Sequence, residues 1–91
     1  MTAATPHQQV LASIETKKAE AAVLLETASH ESLKKYARLA ASELDEALVW
    51  LNNGGSVRVA ALTVGIAIQR LAMVKEALDA FGPDAVMMDI G

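Results

Sequence analysis

No cysteine occurs in the chain, which removes disulfides, zinc–thiolate sites and thiol catalysis together and makes a reducing, cytoplasmic setting the expected one. Aromatic residues supply only 3% of a composition that is 53% hydrophobic. The apolar content is therefore carried by alanine, leucine, valine and isoleucine; alanine and leucine are strong helix formers, and alanine lets helix axes approach closely. A basic surplus is missing as well. Eight Lys and Arg stand against eleven Asp and Glu, a net charge of −3 with the deficit spread along the chain. Non-specific attraction to nucleic acid or anionic lipid needs clustered cations, so both are disfavoured. Between Pro6 and Asn53 neither glycine nor proline occurs.

The opening MTAATPHQQV has neither the basic start nor the apolar run of a signal peptide. The longest apolar stretch, Ser56 to Gly82, is interrupted by Arg58, Gln69, Arg70, Lys75 and Glu76. Measured against the roughly 20 apolar residues of a membrane span, it reads as too short and too broken, so a soluble protein with no membrane partner is expected. At 91 residues the chain is one domain with one core.

What is present is organised around Ser56 to Gly82. From Val59 to Ile68 there is no charged side chain, and small or apolar residues fall on every helical face, so burial on more than one side is expected. Upstream, Thr5-Pro6-His7-Gln8 reads as a capping box with proline at the first helical position. Val10, Leu11, Ile14, Ala21, Leu24, Leu25 and Ala28 then recur at helical spacing. The run Thr27 to Ser32 collects weak helix formers, and Ser29 is expected to cap the next helix. That helix buries Leu33, Tyr36, Ala37, Ala40, Leu44, Ala47, Leu48 and Leu51. Folding back would bring Lys18 near Ser42 and Glu43, and Glu26 near Lys34, with Glu31 to Lys35 a pair within the helix. Asn52-Asn53-Gly54-Gly55-Ser56 ends one helix and caps another. Gly82-Pro83 is a stop. The expected fold is all-α: a three-helix bundle of about 6–28, 30–53 and 56–81 with an apolar tail over 83–91, a hairpin plus a central apolar helix.

Catalysis has little to stand on. His7 and His30 have no evident nucleophile beside them. Glu26, His30 and Glu31 could supply weak metal ligands, but such a set is more often a solvated polar cluster. No enzyme, cofactor or metal is expected.

Ala61, Gly65 and Leu71 are spaced small-x3-Gly-x5-aliphatic, with Val64, Ile66 and Val74 where internal packing residues would fall. Over Ser56 to Leu78 this resembles the helix-turn-helix family. More narrowly, GIAIQRL is similar to segments of small phage-encoded proteins of the small-terminase type and their regulators. The resemblance implies a turn at Gly65 and a DNA-binding or packaging accessory role, with Arg58, Gln69, Arg70 and Lys75 as contacts. The chain departs from the pattern in placing Ala67 and Ile68 directly after the turn.

The alternative is assembly. Val57, Val59, Leu62, Val64, Ile66, Ile68, Leu71 and Val74 point in several directions, and two helices cover only part of such a rod. A homodimer is expected, with Ala61, Val64, Gly65, Ile68, Leu71 and Ala72 at the interface and an unidentified protein as a further partner. Trp50, Val86, Met87, Met88 and Ile90 are candidate partner contacts, although Trp50 and the tail could equally cover the chain's own core.

Overall fold

A computed structural model of the protein describes residues 4–87; the tail candidates Met88 and Ile90 lie outside the described residues. Thr5 begins the first helix by reciprocal capping. Its hydroxyl accepts the Gln8 backbone N–H at 3.1 Å, while the Gln8 side-chain oxygen accepts the Thr5 N–H at 2.9 Å, and Pro6 fills the first turn, where its missing N–H costs nothing. α1 runs Pro6–Thr27 and stops where Ala28 turns to extended backbone.

α2, Glu31–Asn52, starts one residue later than the sequence implies, with His30 rather than Ser29 as its cap. The imidazole Nδ1 accepts the Ser32 N–H at 3.1 Å. Ser29 is otherwise engaged: its backbone N–H donates to the Pro83 carbonyl at 3.0 Å. α3, Val57–Phe81, is capped by Ser56 and closed by Gly82, whose φ of 83° is a conformation that residues with a Cβ rarely adopt.

Each helix touches both others, and one core joins them. Ile14, Ala21 and Leu24 of α1 meet Leu33, Ala37, Ala40, Leu44, Ala47 and Leu51 of α2 and Ala60, Val64, Ala67, Leu71 and Val74 of α3. The many alanines bring the axes close, and the burial of the larger aliphatics supplies the driving force. Among the described residues no polar or charged side chain is buried.

The ion pairs correct the expected register. Lys18 meets Asp45, not Ser42 or Glu43, because Glu43 lies on the flank of α2 that faces α3 and is taken there by Arg70 at 2.6 Å. Glu31 bypasses Lys35 and pairs with Arg38 at 2.9 Å, two turns along. The Arg38 guanidinium, by hydrogen bond and by charge, holds the Glu31 carboxyl below its ordinary value.

Candidate interaction surface

α3 carries two apolar rows, and only one is inside. Ala60, Val64, Ala67, Leu71 and Val74 are spaced four, three, four and three residues apart and face the core. Val59, Leu62, Ile66, Gln69 and Met73 repeat a similar spacing on the opposite side and face out. Leu62 is 66% exposed, Ile66 and Met73 are each 47% exposed, and Val59 is 44% exposed. Large apolar groups seldom gather along one outer face of a helix, here interrupted by Gln69, unless something covers them.

This placement divides the interface expected from the sequence. Val64 (4% exposed) and Leu71 (1%) belong to the chain's own core, so a second copy cannot reach them without opening the fold. Ala61 and Ala72 are exposed and Gly65 and Ile68 half-buried. Ala61, Gly65 and Ile68 line a shallow groove with Gln9, Val10 and Ser13 of α1. Val59, Leu62, Ile66 and Met73 are the row residues that the expected interface omits. Their signal was the second row of three- and four-residue steps, hidden because the first row has the same period.

Gly65 forms no turn. α3 is continuous from Val57 to Phe81, so the helix-turn-helix break assigned to this residue is absent and Ile66 through Leu78 prolong the same helix. A glycine inside a helix costs about 1 kcal/mol relative to alanine. Nothing within the chain requires that cost: a Cβ built at Gly65 would meet no atom within 4 Å. The proposed DNA contacts are also dispersed. Arg70 is held by Glu43 on α2; Arg58 and Gln69, eleven residues or about three turns apart, are exposed on one face, and Lys75 is exposed well off that face.

Trp50 is half exposed, yet its position is set by the chain itself. The indole N–H donates to the Ser56 carbonyl at 3.0 Å, and the ring lies so close over Gly55 that a Cβ there would fall inside its van der Waals envelope. Trp50 thus latches the α2–α3 turn. The tail does similar work at the other end of the molecule. The Met87 N–H donates to the Ser32 hydroxyl at 2.9 Å, Ala85 is buried, and Val86 is half exposed. With Ser32, Lys35, Tyr36, Leu39 and Arg70, Met87 walls a cleft of about 310 Å3.

By length and composition α3 could cross a membrane, contrary to the sequence expectation. Within Val57 to Val74 the only charges are Arg58 and Arg70, and Lys75 and Glu76 lie beyond that span. Among the described residues no three His, Asp or Glu side chains are grouped to hold a metal. Glu31 is turned to Arg38 and His30 to Ser32. Compared with family models, with curated proteins and with solved structures, the chain matches none. Among the large hydrophobic residues that the structure leaves exposed, Val59, Leu62, Ile66 and Met73 share one face of α3.

Proposed function

We propose that the protein is a small non-enzymatic three-helix bundle that self-associates as a homodimer through the outer face of α3 and acts by protein–protein interaction. The exposed row Val59, Leu62, Ile66 and Met73 carries this reading. Covering those side chains removes from water apolar area worth about 25 cal/mol per Å2, the main favourable term in association. A second copy brings an identical row, and a two-fold axis lets one patch satisfy itself. The polar groups nearest to a possible catalytic role are occupied structurally: His30 caps a helix, and Glu43 and Arg70 neutralise each other.

Light scattering tests the reading. The expected result is a mass of two chains at about 100 µM, falling to one chain in Ile66→Asp, since a charge buried without a partner costs several kcal/mol. A wild-type monomer at that concentration removes the reading. Ile66 is exposed in the single chain, so Ile66→Asp leaves the helical circular dichroism unchanged.

A further inference from the structure

The sequence of α3 also specifies how two copies meet, an inference that rests on the self-association just proposed. Val59, Ile66, Met73 and Ala80 are seven residues apart, as are Leu62, Gln69 and Glu76 between them. Together they make the two-row seam of coiled-coil spacing. From Val59 to Ala80 the seam is about 32 Å long at 1.5 Å per residue, long enough for a stable helix pair. The row flanking it on the α1 side is Arg58, Gly65, Ala72 and Asp79, again seven apart, with Gly65 placed beside Gln9 and Ser13 of α1.

That flanking row has opposite charges at its ends and small residues between them. We infer that two α3 helices pair antiparallel about a two-fold axis at Gln69, with Arg58 of each copy opposite Asp79 of the other. The same register sets Gly65 against the second copy's Ala72 and Ile66 against its Met73. It also sets Gln69 against its own mate, whose side-chain amide offers both a donor and an acceptor. Each pairing lies within one residue, about 1.5 Å along the axis, of the register centred on Gln69. Glu76, the charged member of the seam, falls opposite the second copy's Leu62 and four residues, about 6 Å, from its Arg58. Gly65, for which the single chain has no packing reason, gains one: small residues along the flank let the axes approach to about 8 Å, the near end of helix-pair distances.

A parallel pair lacks these matches. There the flanking row faces Thr63, Arg70 and Ala77 of the other helix, which give Arg58 and Asp79 no opposite charge. In the antiparallel pair the remaining flank brings Arg70 near its mate, but each guanidinium is already neutralised by its own Glu43 at 2.6 Å. A lipid surface is a poorer occupant of the seam. Interfacial helices rely on a polar face rich in Lys and Arg, whereas Glu76 and Asp79 border this stripe and the chain carries −3 overall.

The absence of cysteine allows single-cysteine variants to report one contact each. Under mild oxidation Gln69→Cys should form covalent dimer at least about tenfold faster than Leu62→Cys or Met73→Cys, because only residues at the axis bring Cα atoms within the roughly 7 Å that a disulfide tolerates. Ile66→Cys mixed with Met73→Cys should cross-link, and each variant alone should not. Arg58→Asp should weaken the dimer, and adding Asp79→Arg in the same chain should restore it. If the wild type is a dimer but Leu62→Cys and Met73→Cys each link readily to themselves, the antiparallel register is wrong while self-association stands. A wild-type monomer by light scattering ends both, and a monomer that co-sediments with phosphatidylcholine vesicles through Leu62 and Ile66 replaces both with a lipid-binding face.

Discussion

α2 and α3 are of similar length, 22 and 25 residues, and dispose of their apolar residues in opposite ways. α2 places Leu33, Leu44 and Leu51 inward and fills most of its outer surface with Lys, Arg, Glu and Ser. α3 buries a lighter set, Ala60, Val64, Ala67, Leu71 and Val74, and turns Leu62, Ile66 and Met73 outward. The single chain buries the leucine row of α2 and leaves Leu39, Val49 and Trp50 outside, with Trp50 held by the Ser56 carbonyl. It accounts for only half of α3, and the unexplained half has the same period as the buried one. The chain's own helices cover one of the two rows.

The contrast breaks most sharply under truncation. Leu71→Ala, on the inner row, should lower unfolding stability by about 3 kcal/mol, the transfer and cavity cost of a buried leucine. Leu62→Ala, one row across, should change the stability of the single chain by less than about 0.5 kcal/mol, as surface substitutions do. Chemical denaturation at low micromolar concentration, where association is minimal, separates the two; equal losses would mean that Leu62 is not an outer residue. Next in size is Gly55→Ala. The indole of Trp50 must leave its seat, at a cost of about 2 kcal/mol for forced displacement in a packed contact, and tryptophan emission should shift to the red.

Gly65→Ala should act in the other direction. With open space at the Cβ position, the single chain should gain about 0.5–1 kcal/mol. Gly65→Leu should keep the fold yet disrupt a closely approached second helix, seen as loss of dimer in light scattering. The smallest effect concerns acid. Glu31 has its carboxyl held below the ordinary 4.5 by Arg38, so the pair's contribution is complete above that value and fades as pH falls through the lower folded one. The difference in melting temperature between the wild type and Arg38→Ala should be small at neutral pH and shrink further as pH falls below 4.5 and through the lower folded value, as the carboxylate becomes protonated in both folded and unfolded chains. Glu31 is exposed and screened, so a large difference at neutral pH would contradict the structure.

Much of the fold was legible because its signals are local. Thr5, Pro6 and Gln8 fix the first helix start, Gly82 and Pro83 the last stop, and the inward rows of α1 and α2 stand out against charged neighbours. The face of α3 that turns inward was not legible, since both rows have helical spacing and both are apolar; the choice is made by α1 and α2, not by α3. The His30 cap was hidden for a related reason. Ser29 is the better capping residue by type, yet His30 takes the cap, and the Ser29 N–H donates to the distant Pro83 carbonyl. Paired charges were legible as types and not as pairs. Lys18 found Asp45 because Glu43 had a stronger claim from a third helix.

The bond from the Met87 N–H to the Ser32 hydroxyl spans 55 positions of sequence, and the Ser29–Pro83 bond beside it spans nearly as many. During synthesis the corner between the first two helices therefore stays unsealed while the whole of the third is still being made. An emerging chain can assemble its early hairpin loosely, but the latch that locks it arrives with residue 87.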